Sequence, residues 1–195
     1  MVKFGTGGWR AVIGDEFTKA NVQLLTAAII CKLKDDDQAD RGFVIGYDRR
    51  FLSEEAARWA AEVMAGEGIH CRLINRESPT PLIMFAVSKY KLPYGMAITA
   101  SHNPAIYNGV KVFAEGGRDA DEEMTAQFEG YISTTEPGDI HPMDFDEAVE
   151  SGLIQLIDPM NQYIDNILAM VDGETIRRRG RKVALDPWYG ASKTA

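Results

Sequence analysis

Gly42-Phe43-Val44-Ile45-Gly46-Tyr47-Asp48-Arg49-Arg50-Phe51-Leu52-Ser53 decides the fold. Its first half is a short apolar run bounded by glycine, the pattern of a buried strand. Its second half turns polar and ends at Ser53, a good helix N-cap, with Glu54 and Glu55 in the first turn where the helix dipole favours them. Ala56, Trp59, Ala60, Val63 and Met64 then form one apolar face, and Gly66 and Gly68 stop the helix. A buried strand feeding directly into an amphipathic helix is the unit of an α/β layer.

Working outward, the same alternation recurs. Upstream, Thr18 opens a helical pattern through Val22, Leu25, Ile29 and Leu33, closed by Asp35-Asp36-Asp37. Downstream, Ile69 to Ile74 predicts a strand, Pro79 to Tyr90 a helix, Tyr94 to Thr99 and Val110 to Ala114 two more strands, and Asp121 to Ile132 a helix. Asn108-Gly109 is a hairpin-turn dipeptide, which makes those two strands adjacent and antiparallel. The expected fold class is α/β, a three-layer α/β/α domain with a mixed, mostly parallel sheet, plus the start of a second α/β domain. The first domain covers 1–140. Residues 141–158 read as a linker, because Thr134 to Asp158 has weak periodicity and is punctuated by Pro137, Gly138, Pro142 and Gly152. Residues 159–195 hold a helix, Met160 to Val171, a strand, Lys182 to Leu185, and an Asp186-Pro187 turn. They read as the truncated start of domain two.

Composition narrows the class of partner. The chain has 195 residues, 45% of them apolar and 26% charged, enough to bury about 70% of its unfolded surface without disulfide or metal. A net charge of −8 argues against nucleic acid; the basic run Arg177 to Lys182 reads as a solvated turn. Cys31 and Cys71 sit among apolar neighbours with no CxxC spacing, so they read as reduced, buried thiols. The longest apolar run, Leu24 to Leu33, is too short to span a membrane and is broken by Lys32. No signal peptide is evident, and a cytoplasmic enzyme is the expectation.

Three segments carry candidate chemistry. Thr99-Ala100-Ser101-His102-Asn103-Pro104 holds a serine in a loop between two expected strands, with His102 beside it and Lys111 ten residues on. Ser101 has three readings: a hydrolytic nucleophile, a turn residue, or a carrier of phosphate. No Gly-x-Ser-x-Gly elbow surrounds it, and adjacent Ser and His seldom point at each other, which disfavours the hydrolase. A phosphate carrier must hold about two negative charges, and His102, Lys111, Arg10 and the loop amides are the candidate donors. Lys111 alternates with the apolar Val110 and Val112, so it faces solvent or the site. Phe4-Gly5-Thr6-Gly7-Gly8-Trp9-Arg10 is a glycine-rich loop ending in arginine. It is neither a dinucleotide fingerprint nor a P-loop, yet it suits close approach to a phosphate. Asp48-Arg49-Arg50 ends a strand, where ligands bind in open α/β sheets. One of its arginines reaches a phosphate, or an Asp-Arg pair braces the turn.

The serine hexapeptide, followed by Tyr107-Asn108-Gly109-Val110-Lys111, resembles the phosphoserine loop of the α-D-phosphohexomutase family, which includes phosphoglucomutases and phosphomannomutases. Phe4 to Arg10 resembles that family's N-terminal motif, Asp48-x-Arg50 with Ser53 its second segment, and Asp186-Pro187 with Gly190 the opening of its second domain. The resemblance implies movement of a phosphoryl group between the 1- and 6-positions of a hexose phosphate through a phosphoserine and a hexose 1,6-bisphosphate. It implies Ser101, His102 and Lys111 as catalytic residues, and Arg10, Thr99, Asn103 and Arg50 as substrate or phosphate contacts. It further implies Mg²⁺ held through the phosphate on Ser101, a hexose phosphate as small-molecule partner, and the bisphosphate as activator. The Thr99-Ala100 start and Gly7-Gly8-Trp9-Arg10 lean toward gluco- and mannomutases. The chain lacks the Asp-Gly-Asp-x-Asp-Arg metal loop and the later sugar- and phosphate-reading loops of complete members. It therefore reads as an N-terminal fragment, inactive alone, whose missing partners are the C-terminal domains. The alternative is a non-catalytic phosphosugar-binding or regulatory module.

Overall fold

A computed structural model of the chain describes residues 2–5 and 8–191. Seven strands form one mixed sheet: β1 (Trp9–Val12), β2 (Phe43–Tyr47), β3 (Cys71–Glu77), β4 (Tyr94–Ile98), β5 (Tyr107–Ala114), β6 (Arg118–Asp119) and β7 (Ile154–Ile157). The order is β1-β5-β4-β2-β3-β7, with β6 paired to β5. Strands β4, β2, β3 and β7 run parallel, while β1, β5 and β6 add antiparallel pairs. The helices are α1 (Lys19–Asp35), α2 (Ser53–Gly66), α3 (Thr80–Lys89), α4 (Glu122–Thr134), α5 (Phe145–Glu150), α6 (Met160–Ala169) and α7 (Gly173–Arg179).

Two apolar layers flank the sheet, because alternate residues of each buried strand point to opposite faces. Phe43 and Ile45 of β2, Met96 and Ile98 of β4, and Val110 and Val112 of β5 pack on one side with Leu25, Ile29 and Leu33 of α1 and Ala60 and Met64 of α2. Val44, Ala97 and Phe113 pack on the other with Leu82, Ile83, Ala86 and Val87 of α3 and Met160 of α6. Helix α3 lies so close to the sheet that a Cβ on Gly46 would stand 2.5 Å from Ile83, and one on Gly95 2.5 Å from Val87. The three-layer α/β/α expectation matches this arrangement.

Several local expectations change. Residues 141–158 are not a free linker: they form α5 and β7, β7 extends the parallel sheet beside β3, and Ala148 and Ile154 are buried. The Pro and Gly punctuation marks the tight connections of short elements rather than an extended tether. The expected strand Lys182 to Leu185 does not form. That segment is neither helix nor strand, with Val183 84% and Leu185 81% exposed and no strand edge paired to it. The basic run is mostly the last turn of α7, where Arg177, Arg178 and Arg179 complement the helix dipole. Asn108-Gly109 lies within β5, not in the turn; β4 and β5 are nonetheless adjacent and antiparallel, joined by residues 99–106. Ser53 does not cap α2 as expected. Leu52 holds the N-cap position at φ 63°, and the Ser53 hydroxyl is turned to Asp48.

Candidate functional site

The site is built where β2 and β4 end side by side. Asp48 follows β2 and its amide donates to the Ile98 carbonyl at 3.1 Å, so the end of one strand is stitched to the end of its neighbour. The Asp48 carboxylate is then fully engaged. Oδ1 accepts from the Arg50 amide and from Ser53 Oγ, each at 2.9 Å, and Oδ2 accepts from Thr99 Oγ1 at 2.7 Å and lies 3.5 Å from Arg50 Nε. Ser53 Oγ in turn accepts from Asn108 Nδ2 at 2.9 Å, and Asn108 Oδ1 accepts from the Gly109 amide at 2.8 Å. Asn108, Ser53 and Thr99 are buried, and their polar atoms are satisfied within this network, as buried polar groups must be.

Thr99 carries the network into the serine loop. Its hydroxyl accepts from the Ser101 amide at 2.9 Å, and its own amide donates to the Gly109 carbonyl at 2.9 Å. Gly109 is required here: a Cβ would lie 2.1 Å from the Trp9 carbonyl and 3.1 Å from the Thr99 carbonyl. Ser101 adopts φ 57°, the left-handed region that non-glycine residues rarely enter. The loop is held in that shape by Arg50. Its Nη1 donates to the carbonyls of Pro104 and Tyr107, each at 2.9 Å, and its Nη2 to those of Ser101 at 2.8 Å and Asn103 at 2.6 Å.

Arg50, expected as a phosphate contact, is engaged by the loop itself in this structure. Four carbonyls take the hydrogens of its fork and Nε pairs with Asp48 at 3.5 Å, so the Arg50 fork is occupied in bracing the loop. Thr99 is likewise part of the frame, its hydroxyl spent on Asp48 and Ser101. Ser101 itself is exposed, and its Oγ lies 3.3 Å from His102 Nδ1. Both residues, with Asn103 and Ala105, line a cleft of about 840 Å³ whose other walls are Asp48, Arg49, Arg50, Phe51 and the turn Trp188–Ala191.

The other expected site residues stand apart from that cleft. Lys111 lies on β5 opposite Ala97, and its Nζ donates to Asp119 Oδ1 at 3.1 Å. Arg10 lies on β1 opposite Gly109, one strand beyond the Gly109–Thr99 contact, and is not among the residues that line the cleft. Its Nε is buried without a hydrogen-bond partner. Thr6 and Gly7 of the glycine-rich segment lie outside the described residues. Asn108 has the composition of a turn residue and belongs instead to the frame; no local signal marks it, because its partners Phe51 and Ser53 lie 57 and 55 positions away. Both cysteines are free, and Cys71 is buried in apolar surroundings that push its thiol pKa upward.

The residues present do not make a magnesium site by themselves. Mg²⁺ takes oxygen ligands, carboxylates above all. The Asp48 oxygens are committed, and among the described residues no group of three or more His, Cys, Asp or Glu could hold a metal. No helix of the described residues is long and apolar enough to cross a membrane.

Residues 1–138 match the family model described as phosphoglucomutase/phosphomannomutase, alpha/beta/alpha domain I. The chain is 32% identical to a phosphoglucomutase of Staphylococcus saprophyticus over 98% of its own length and 35% of that protein. It is also 32% identical to a phosphoglucosamine mutase of Mycobacterium leprae, over 98% of this chain and 40% of that one. A phosphomannomutase-type protein of Thermus thermophilus superposes with a TM-score of 0.77 at 31% identity, covering 90% of this chain and 37% of that one. The chain thus spans little more than a third of the length of these relatives.

Proposed function

Because this chain belongs to the phosphoglucomutase/phosphomannomutase family, we propose that Ser101 carries the phosphoryl group in the interconversion of hexose 1- and 6-phosphates. The observation that carries this reading is the contrast within one loop. The polar side chains that frame the loop, Asp48, Arg50 and Thr99, are spent on holding the backbone, whereas Ser101 Oγ stands exposed on the cleft at a left-handed apex. Phosphoryl transfer asks mainly for positioning and for charge stabilisation, and a braced loop supplies the first.

In this reading the phosphoserine gives its phosphoryl group to a free hydroxyl of the bound hexose phosphate. The Ser101 O–P bond breaks, the sugar O–P bond forms, and the hydroxyl proton passes to a base. The resulting hexose 1,6-bisphosphate turns over, and its other phosphate returns to Ser101. In the same reading His102, 3.3 Å from Oγ, exchanges a proton with it. Asn103 lines the same wall. The relatives' length supports a further part of the proposal. These 195 residues form one wall of the site and turn over no hexose phosphate alone, with the carboxylates for Mg²⁺, the sugar contacts and the 159–195 segment's own domain completed by other parts of a longer polypeptide. The ion would meet this chain through the phosphate on Ser101, and no step here depends on it.

The test is incubation of the chain, and of a full-length family protein bearing it as the N-terminal third, with glucose 1,6-bisphosphate, followed by intact mass and phosphopeptide mapping. Phosphate on Ser101 in the full-length protein, lost in Ser101→Ala, is expected. Phosphate elsewhere, or none, overturns the carrier role. Conversion of glucose 1-phosphate by the 195 residues alone overturns the one-wall reading.

A further inference from the structure

Asp48-Arg49-Arg50 places two guanidinium groups at the same end of the sheet, and they are used differently. The fork of Arg50 is consumed: four carbonyls take its Nη hydrogens, and Asp48 pairs with Nε at 3.5 Å. Arg49 is the next residue back, and it lines the cleft together with Ser101, His102 and Asn103. Its ion pair is a long one, Nε to Glu77 Oε1 at 4.0 Å, beyond hydrogen-bond range. Glu77 therefore restrains the stem of Arg49 without consuming the two Nη groups of its fork. The side chain is one-third exposed, so the guanidinium is partly withdrawn from water yet open to the cleft.

The distribution of charge singles out the same residue. The ammonium of Lys111 is held by Asp119, Arg10 lies two strands away, and neither lines the cleft. Arg49 is the fixed cation on the cleft wall whose fork is not engaged by the loop. A planar fork beside an exposed serine oxygen matches the oxygens of a phosphomonoester, which accept paired N–H donors. Glu77 behind it limits the cost of ordering the long side chain on binding.

We propose that Arg49 binds the phosphate of a phosphomonoester ligand in the Ser101 cleft, while Arg50 only positions the loop. The choice of a sugar phosphate as that ligand rests on the reading of Ser101 as a phosphoryl carrier; the division of labour between the two arginines rests on geometry alone. Loss of Arg49 removes an anion contact without disturbing the fold, whereas loss of Arg50 disturbs the loop itself.

Amide chemical shifts of the 195-residue chain, titrated with glucose 6-phosphate and separately with glucose, test this. Saturating shifts at Ser101, His102 and Asn103 are expected with glucose 6-phosphate and not with glucose. Arg49→Gln should weaken that binding by about fivefold or more, with an unchanged melting temperature, and Arg49→Lys, which keeps the charge but not the fork, should fall between. Equal affinity of Arg49→Gln and the parent chain overturns the proposal, as does the absence of any shift in the parent chain. Arg49-dependent binding together with an unphosphorylated Ser101 in the mapping experiment would refute the carrier reading and leave the role of Arg49 standing.

Discussion

Thr99 Oγ1 donates to Asp48 Oδ2 at 2.7 Å, joining side chains 51 positions apart at the ends of adjacent parallel strands. The bond is the hinge of the site, because each partner does a second job. Asp48 gathers Ser53, Arg50 and Thr99, and Thr99 accepts from the amide of Ser101. The conformation of the serine is thereby tied to the pairing of β2 with β4, which in turn rests on the core beneath it.

A double-mutant cycle measures that tie. Asp48→Ala should cost about 2–3 kcal/mol, since it strands the hydroxyls of Ser53 and Thr99 without their acceptor. Thr99→Val should cost about 1–2 kcal/mol. The double variant should fall short of the sum by about 1 kcal/mol, the signature of a shared bond. Urea denaturation of the four proteins gives the coupling, and strict additivity would show that the two side chains do not act together.

Arg50 makes a separate prediction, because its bonds go to the loop backbone and not to the core. A lysine in its place keeps the charge but presents a single ammonium that cannot bridge carbonyls at Ser101, Asn103, Pro104 and Tyr107 together. Arg50→Lys should therefore speed hydrogen exchange of the amides in 101–107 by about tenfold or more, while leaving exchange in α1 and β2 near the parent rates. Uniformly faster exchange throughout the chain would instead mark Arg50 as a global stabiliser.

Gly109 sits where three backbones crowd. Adding one methyl group would drive a Cβ to 2.1 Å from the Trp9 carbonyl, so either β1 leaves β5 or β5 shifts against Thr99. Gly109→Ala is expected to cost about 3 kcal/mol or more, toward the upper end for overpacking, because backbone rather than a flexible side chain must move. Thermal melting of the variant tests this. Gly138→Ala, at a position open to solvent, is the control and should change stability by about 0.5 kcal/mol at most.

Much of this was legible in the chain. The apolar spacing of α1 and the uninterrupted apolar runs of β2 and β4 need only period and length to be read, and those residues are buried as their pattern requires. Thr18 and Asp121 cap their helices as their side chains suggest, accepting from the amides of Asn21 and Met124. What failed was whatever depended on a distant partner. Asn108-Gly109 has a turn's composition, yet its glycine answers to Trp9 and its asparagine to Ser53 and Phe51. Ile154–Ile157 reads as linker because a four-residue edge strand carries almost no periodicity of its own and exists through pairing with β3. Arg49 and Arg50 are the sharpest case: two adjacent, chemically identical side chains, which only the position of four carbonyls separates into a brace and an open cation.

The last prediction concerns acid. At the end of α1, Asp36 is partly buried, which alone raises its pKa. Hydrogen bonds from Lys32 and from Tyr94 Oη, at 2.8 Å, together with the lysine's charge, outweigh that and hold it below the usual carboxylate range. Glu62 on α2 is shifted the other way, chiefly because burial disfavours its charge, against the weaker pull of Lys19 at 3.8 Å. A lowered folded-state pKa gives stability that is present above the unfolded value near 4 and is lost as pH falls through the folded one. A raised one has the opposite sign: the charged glutamate weakens the fold at neutral pH, and that deficit is relieved as pH falls toward the unfolded value. Asp36→Asn should thus cost about 1–2 kcal/mol at pH 7 and progressively less as pH falls from the unfolded value near 4 through the lowered folded one, flattening the acid limb of the stability curve. Glu62→Gln should be neutral or stabilising by under about 1 kcal/mol at pH 7, and indistinguishable from the parent at about pH 3.5. Denaturation curves collected across that range decide both. A loss in Asp36→Asn that persists undiminished at the acid end would mean that the side chain stabilises through packing and not through its charge.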